Sequence, residues 1–176
     1  MIFTETRLKG VYFIEPELLT DERGFFARSF CKEEFQKYGL ETDIVQCNIS
    51  FNKRKGTLRG MHYQIPPHEE AKIVSCTKGS IYDVVVDLRK DSLTYSRYVA
   101  TELSEKNFKM MYIPRGCAHG FQTMEDEVIV YYQMTGLFHP ECARGIRWDD
   151  PAIGIVWPGP PGIISEKDQR YKGLTL

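Results

Sequence analysis

The sequence has 176 residues, of which 42% are hydrophobic and 27% are charged, with a formal net charge of -1. This balance is typical of a soluble globular protein and argues against a disordered or fibrous chain. Basic residues are spread along the chain and form no tract, which makes nucleic acid a poor candidate partner. We therefore expect one domain, over residues 1–176, with no nucleic acid bound.

The five cysteines are scattered and form no Cys-x-x-Cys pair, which argues against a disulfide framework and against a zinc knuckle. We interpret them as small core residues in a reducing compartment. The first seven residues carry charges where a signal peptide needs an apolar run, and no stretch approaches the length of a membrane span. The sequence predicts a cytoplasmic protein that does not enter a membrane.

Short runs of β-branched and aromatic residues, separated by turn signals, predict an all-β chain. The runs cover residues 10–14, 72–77, 81–88 and 128–134. Residues 78–80 separate two of them by a length typical of a β-hairpin. Asp83 and Asp87 flank three valines in a run that we expect to be buried on much of both faces. Two packed sheets, as a sandwich or a barrel, are the natural arrangement.

Helix signals are few. Ser29 is a candidate N-cap for a helix over residues 32–38, and Gly39 is placed to end it. A second short helix is expected to begin at Ser165. The Pro- and Gly-rich residues 158–162 separate the end of the chain from the sheets, and we expect that end to pack back as a flap.

Residues 58–64 place an arginine and a histidine three positions apart, on either side of a glycine. Strand alternation puts Arg59 and His62 on opposite faces, so both can face one pocket only if Gly60 carries a bulge. The alternative is a core histidine with a solvated arginine, and the residues alone favour neither interpretation.

Four further residues could take part in chemistry, and each has a structural alternative. His119 follows a turn and could bond to the turn backbone, and Lys72 begins an apolar strand from which its amine could reach water. Tyr132 is the second of two adjacent tyrosines, of which one faces inward and could be core. Asp168 could complete a helix N-terminal box with Ser165.

Two histidines in a β-rich chain raise the possibility of a metal site, because small β-barrels of the cupin type hold iron or manganese through a His-x-His pair, a glutamate and a distant histidine. Gln64 stands at the second histidine position, and His68 follows two prolines at an unsuitable spacing. The ligand set is incomplete. The sequence therefore predicts no metal and no cofactor.

Seven segments spread over nearly the whole chain carry a family pattern, namely residues 21–26, 45–48, 58–64, 83–89, 113–121, 148–158 and 165–168. Taken together, they resemble the dTDP-4-dehydrorhamnose 3,5-epimerase family. Seven ordered matches are far more specific than any single motif.

This resemblance implies a double-stranded β-helix, the jelly-roll of cupins, with a few short peripheral helices. It implies a homodimer that associates through its strands, with the partner's N-terminal region contributing to the substrate site. The activity implied is inversion of C3 and C5 of dTDP-4-dehydro-6-deoxy-D-glucose, giving dTDP-4-dehydro-L-rhamnose for cell-surface polysaccharide. An enolate next to the C4 ketone is the intermediate, and no redox cofactor is required.

The resemblance also implies roles for individual residues. His62 matches the base and Asp168 the carboxylate that orients it, while Tyr132 matches the proton donor and Lys72 the cation near the ketone oxygen. Residues that match the surroundings of the sugar or of the nucleotide diphosphate are Arg59, His119, Arg23, Gln46 and Asn48, with Arg23 expected to reach the neighbouring subunit's site.

Some positions depart from the pattern of the family. Arg28 stands where many members carry glutamate, Gln133 where lysine is frequent, and Ala143 begins a stretch that often includes an acid. These departures leave open which sugar and nucleotide are bound and whether one carbon is inverted or both. A metal-dependent cupin enzyme and a non-catalytic sugar-nucleotide binding module are the remaining alternatives.

Overall fold

The computed structural model describes residues 1–174, which form mainly antiparallel strands. The elements are β1 (Ile2–Glu5), β2 (Tyr12–Glu15), β3 (Leu19–Asp21), β4 (Gly24–Phe26), α1 (Lys32–Lys37), β5 (Gln46–Asn52), β6 (Thr57–Gln64), β7 (Lys72–Lys78), β8 (Ser80–Asp87), β9 (Tyr98–Ser104), β10 (Met110–Ile113), β11 (Cys117–Thr123), β12 (Val128–Met134), β13 (Ala143–Gly145), β14 (Ile163–Ile164) and α2 (Glu166–Gln169). The predicted all-β class is confirmed. Neither helix of this part of the chain is long and apolar enough to cross a bilayer.

The strands form two large sheets and one small ribbon. The first sheet has the order β1-β2-β10-β7-β12-β5, and the second has the order β13-β6-β11-β8-β9, with β14 pairing in parallel with β6. From β10 to β12, consecutive strands alternate between the two sheets. This arrangement is the expected jelly-roll. Strands β3 and β4 form a separate two-stranded ribbon.

The main core lies between the two sheets. Val74 and Val130 project from the first sheet and meet Ile81, Val85 and Phe121 from the second, all almost fully buried. Alternation along β8 sends Val84 to the outer face of the second sheet, where a separate apolar cluster covers it. Strand β8 is therefore buried on both faces, as its sequence predicts.

The residues between β7 and β8 do not form a hairpin, and this prediction was wrong. Strand β7 belongs to the first sheet and β8 to the second, so the chain crosses between layers at Gly79. Gly79 has a φ of +74°, a conformation available to hairpin turns and sheet crossings alike. A three-residue spacing therefore could not distinguish the two.

Helix α1 begins at Lys32, as its sequence predicts, but the predicted N-cap is wrong. Its N-cap is Cys31, which makes no side-chain capping bond, so Ser29 does not cap it. Glu33 and Glu34 occupy the first turn, where their charges favour the helix dipole. Gly39, with a φ of +69°, follows the C-cap as predicted.

The end of the described chain packs back on the second sheet, as expected. After the irregular residues 158–162, β14 pairs with the start of β6, and α2 begins after Ser165. The Ser165 hydroxyl accepts a hydrogen bond from the Asp168 N–H at 3.1 Å, which confirms the predicted cap. Farther on, the Leu174 N–H donates to Asp150 Oδ2 at 2.5 Å.

The cysteines are all free, as predicted, but they are not all core residues. Cys76, Cys117 and Cys142 are buried, and burial raises the pKa of the first two thiols to about 12. Cys31 is half-buried. Cys47 is exposed because it lies on the outer face of β5, which no other described residues cover.

Candidate active site

A pocket of about 320 Å³ opens between the two sheets beside the main core. Both sheets and the C-terminal segment contribute to its wall. The lining residues include Asn48, Ser50, Arg59, His62, Gln64, Glu70, Lys72, His119, Phe121, Tyr132, Phe138, Arg144, Lys167 and Tyr171. The sequence predicts nine site residues, and six of them line this pocket: Asn48, Arg59, His62, Lys72, His119 and Tyr132. Asp168 does not line the pocket but contacts His62 from behind.

A distortion at Gly60 brings Arg59 and His62 to the same side of β6. His62 is opposite His119 on β11, whereas Arg59 is opposite Phe121, so three steps on one strand match two on the other. Gly60 has a φ of +137°, and a Cβ there would lie 2.5 Å from the Gly120 Cα. Only glycine fits this close approach. The predicted bulge is confirmed.

His62 and Asp168 form a hydrogen-bonded pair. His62 Nε2 lies 2.7 Å from Asp168 Oδ1, and the Gly60 N–H donates to Asp168 Oδ2 at 3.3 Å. The His62 side chain is 43% exposed, whereas that of Asp168 is 5% exposed. The imidazole therefore faces the pocket and the carboxylate lies behind it.

The surroundings of Asp168 keep its carboxylate ionised. Burial alone would raise the pKa of Asp168, but the hydrogen bond and charge of His62 and the Gly60 N–H outweigh it, and the pKa lies below its usual value. An ionised carboxylate accepts the Nε2 proton and leaves Nδ1 as the unprotonated nitrogen of a neutral ring. The geometry thus fixes which nitrogen can act as a base.

Tyr132 lines the pocket from the first sheet, whereas His62 projects from the second. Its ring meets that of His119 edge to face, with centroids 6.1 Å apart. Burial, and then the charge of Asp83, raise the pKa of Tyr132 above its usual value. The phenol stays protonated at neutral pH and can donate a proton.

Lys72 reaches the pocket at the start of β7 instead of extending to bulk water. Its Nζ lies 3.0 Å from Glu70 Oε1, and both side chains are largely buried. Glu70 Oε2 accepts a hydrogen bond from Gln64 Nε2 at 2.6 Å. Gln64 occupies the position at which metal-dependent cupins carry a ligand histidine, and here its side chain donates to the carboxylate of Glu70.

His119 is held by a buried acid and not by the turn backbone. Its Nε2 lies 2.6 Å from Asp83 Oδ1. Burial raises the pKa of Asp83, and the charge and hydrogen bond of His119 oppose this shift. Asp83 Oδ2 has no hydrogen-bond partner among residues 1–174. The structural alternative drawn from the sequence for His119 was wrong about its partner.

The residues predicted to surround the sugar and the diphosphate divide into two groups. Arg59 and Asn48 line the pocket, and the Arg59 Nε donates to Asn52 Oδ1 at 2.7 Å. Gln46 lies next to the pocket, where its Oε1 accepts the Phe138 N–H at 3.0 Å. Arg23 lies away from this chain's pocket, at the turn of the β3-β4 ribbon, with its side chain 89% exposed.

Sequence reasoning missed several residues of the wall. Glu70 is buried beside Lys72, and Tyr171 lies over His62 with ring centroids 6.0 Å apart. Gly145 provides the space for Tyr171, because a Cβ there would lie 2.2 Å from the Tyr171 ring. Asp83 was also missed as the partner of His119, although an acid next to three buried valines was a signal for a special role. Nothing in the local sequence indicates that Tyr171 reaches the pocket.

Positive side chains dominate the charged part of the wall. Arg59, Lys72, Arg144 and Lys167 line it, against the single carboxylate of Glu70. Because Glu70 is already paired with Lys72, the net field in the pocket favours an anionic ligand. Arginines provide planar donors suited to phosphate oxygens.

The comparison with protein-family models gives a match to dTDP-4-dehydrorhamnose 3,5-epimerase over residues 5–175. The chain belongs to this family. A dTDP-4-dehydrorhamnose 3,5-epimerase from Methanothermobacter thermautotrophicus is 48% identical, with 98% of this chain and 94% of that protein covered. These two matches agree with the family resemblance of the sequence segments.

Two other relatives of this epimerase-family chain differ in what their names describe: one was solved with a bound sugar nucleotide, and the other is a 3-epimerase. The crystal structure of dTDP-6-deoxy-D-glucose-3,5-epimerase from Legionella pneumophila, in complex with dTDP-4-keto-L-rhamnose, is 36% identical with a TM-score of 0.91, covering 98% of this chain and 92% of that one. A dTDP-4-dehydrorhamnose 3-epimerase from Streptomyces niveus is 34% identical, covering 92% of this chain and 78% of that protein.

Proposed function

We propose that this chain inverts C3 and C5 of dTDP-4-dehydro-6-deoxy-D-glucose to give dTDP-4-dehydro-L-rhamnose. One observation carries the proposal: the His62-Asp168 pair and the Tyr132 phenol face one pocket from different sheets. Inversion requires a base on one side of a carbon and an acid on the other. The bound ligand of the Legionella relative supports the substrate class.

His62 acts as the base in the proposed reaction. It removes the proton from the carbon next to the C4 ketone, and the electron pair of the C–H bond moves to the ketone oxygen as an enolate. Asp168, behind the ring, stabilises the imidazolium that forms. Proton removal changes no oxidation state, so this step consumes no oxidant or reductant.

Lys72 stabilises the enolate and Tyr132 completes the inversion. A cation at the oxygen where charge develops lowers the barrier more than the same charge would in water. Tyr132 then delivers its proton to the opposite face of the carbon. Solvent exchange returns the Tyr132 proton and removes the one on His62, and the same sequence at the second carbon gives the product.

The positive wall of the pocket binds the nucleotide diphosphate in this proposal. Arg59 and His119 contact the sugar end, and Asn48 with Gln46 lies toward the diphosphate. Arg23 belongs to the site of a neighbouring subunit, which agrees with its exposed position on the ribbon. We place the protein in the cytoplasm, where five free thiols persist.

Deuterium exchange tests the reaction directly. The protein is incubated with dTDP-4-dehydro-6-deoxy-D-glucose in deuterium oxide, and label at C3 and C5 is followed by NMR. We expect both positions to exchange, with product formed. Exchange at neither would rule the proposal out and would favour a binding module. Loss of exchange on chelation, restored by iron or manganese, would favour a metal-dependent enzyme instead.

Inversion of a single carbon is the second candidate. The relative from Streptomyces niveus is a 3-epimerase, so the family includes this activity. In this chain Ala143 and Arg144 line the pocket, and they belong to a stretch that often includes an acid in the family pattern. Label at one carbon alone would identify this activity.

We also infer that the chain forms a homodimer through the outer face of β5. Strand β5 is the last strand of the first sheet, and its Ile49 and Phe51 are 72% and 48% exposed. The ribbon adds Leu19 and Phe26, which are 67% and 73% exposed. Clusters of exposed apolar side chains are typical of protein–protein interfaces, which supports an interface on this side of the sheet.

The dimer is tested by light scattering after size-exclusion chromatography. Wild type should have twice the chain mass of 20.4 kDa, and Phe51→Lys should shift it toward the monomer, because a charge at an apolar interface is left unpaired. Leu93→Lys is the matched control, since Leu93 is fully exposed on a loop away from β5. A monomeric wild type would contradict the inference.

A further inference from the structure

Three possible metal ligands meet next to Gln64, which lines the pocket, and none of the three is used for epimerisation. Single donor atoms of His68, His139 and Glu141 all lie within 4.8 Å of one another. The rings of His68 and His139 stack with centroids 3.4 Å apart, and His139 Nδ1 is 3.0 Å from Glu141 Oε1. The two histidines are half-buried and the glutamate is exposed.

One buried side chain holds the backbones of both histidines. Gln64 Nε2 donates to the His68 carbonyl oxygen at 2.8 Å, and Gln64 Oε1 accepts the His139 N–H at 2.7 Å. The His139 carbonyl in turn accepts hydrogen bonds from the Cys142 and Ala143 N–H groups, both at 3.0 Å. The histidines therefore project from fixed backbone, although they lie on separate loops after β6 and β12.

We propose that His68, His139 and Glu141 bind one Zn²⁺ ion. Two imidazole nitrogens and one carboxylate oxygen form a recognised zinc ligand set, with water completing the coordination. Mg²⁺ and Ca²⁺ prefer oxygen ligands alone and match this set poorly. The nearly parallel rings, with an interplanar angle of 16°, must turn so that their lone pairs converge on the ion.

The ion at this site connects two loops and is separate from catalysis. His68 belongs to the loop that leads to Glu70 and Lys72, and His139 to the loop that carries Phe138, which lines the pocket. Because the histidines are far apart in the chain, a shared ion restricts the two loops relative to each other. Binding to the folded state alone raises thermal stability.

Zinc binding is measured by titrating Zn²⁺ into protein freed of metal with a chelator, using isothermal calorimetry. Wild type should bind one tight equivalent, and its melting temperature should rise with Zn²⁺. Loss of an outer-shell partner alone costs about 10–100-fold in metal affinity, so His139→Ala and His68→Ala should each lose at least about a hundredfold. Glu141→Gln, a surface change, should also weaken binding.

Controls separate this site from other zinc-binding groups. Glu127→Gln removes a surface carboxylate elsewhere, and His62→Asn and Cys47→Ser remove two other possible ligands, so all three should keep the tight equivalent. The proposal would be overturned if wild type bound no Zn²⁺, bound Mg²⁺ equally well, or kept its affinity in both His68→Ala and His139→Ala. None of these measurements requires substrate, so they stand apart from epimerase activity.

Discussion

The titratable side chains at the pocket are held in different protonation states. Asp168 is buried and ionised behind His62, whereas Tyr132 is half-buried and neutral, with its pKa raised by desolvation and by Asp83. Two titratable groups whose environments favour opposite protonation states are typical of an acid and base pair. Lys72, paired with Glu70, lines the same pocket.

Tyr132→Phe and His62→Ala should separate the two proton transfers. His62→Ala should lower both deuterium exchange and product formation by about 10²–10⁴-fold, the usual contribution of a general base. Tyr132→Phe should lower product formation by a similar factor yet retain exchange, because His62 can still remove the proton and return label to the same face. Both are followed by NMR in deuterium oxide.

Tyr131→Phe is the control for the tyrosine substitution, because Tyr131 is the neighbouring residue and does not line the pocket. It should leave product formation close to the wild-type rate. Unchanged exchange and turnover in both His62→Ala and Tyr132→Phe would remove these residues from the mechanism.

Local sequence could indicate single candidates but not their partners. His62 and Asp168 are 106 residues apart, and their contact depends on how the C-terminal segment returns to β6. Helix-cap chemistry correctly predicted that Asp168 follows a Ser165 cap, yet only the fold places its carboxylate against His62. Tyr171 and Glu70 were missed for the same reason.

Strands position the site through one irregularity, the bulge of β6 at Gly60. Strand alternation predicted that Arg59 and His62 need such a bulge to share a pocket, and the register against β11 confirms it. The same local reasoning was wrong for residues 78–80, because a glycine turn does not reveal whether the next strand stays in its sheet.

Gly60→Ala should damage stability and activity together. Its Cβ would lie 2.5 Å from the Gly120 Cα at a φ of +137°, so the two strands must separate. We expect a loss of about 3 kcal/mol in the free energy of unfolding, measured with urea. The turnover number should also fall, because Arg59 and His62 move.

Gly159→Ala is the matched control, since a Cβ there meets nothing within 4 Å. Its effect on unfolding should stay within about 0.5 kcal/mol. A Gly60→Ala protein as stable and active as this control would show that the bulge tolerates a side chain.

At the scale of the whole molecule, a jelly-roll of two sheets leaves few places for charge in its interior. Asp87 is a charged residue in this interior: its side chain is fully buried, yet its pKa is lowered to about 2. Burial opposes this shift, and hydrogen bonds from Arg89, Ser92 and Thr94 outweigh it. The loop after β8 is thus fixed by one ionised carboxylate.

Asp87 should make folding stability depend on acid pH. Its folded pKa of about 2 lies below the unfolded value of about 3.9, so its contribution is present above about pH 4 and is lost as the pH falls toward 2. Asp87→Asn should cost about 3 kcal/mol at pH 7. The difference from wild type should shrink between pH 4 and 2, as measured by urea unfolding.

Asp91→Asn, an exposed change in the same loop, is the control and should follow wild type at every pH. A constant difference between Asp87→Asn and wild type across this acid range would contradict the assigned cause.

The contact between His62 and Asp168 also has a consequence for how the protein is made. Chains are synthesised from the N-terminus, and their early parts can fold before the late parts leave the ribosome. Both sheets receive their principal strands by Met134, whereas the carboxylate behind His62 arrives only with α2. A nascent chain can therefore hold a nearly complete barrel whose base has no partner, and in our mechanism it becomes an epimerase only when its last helix docks.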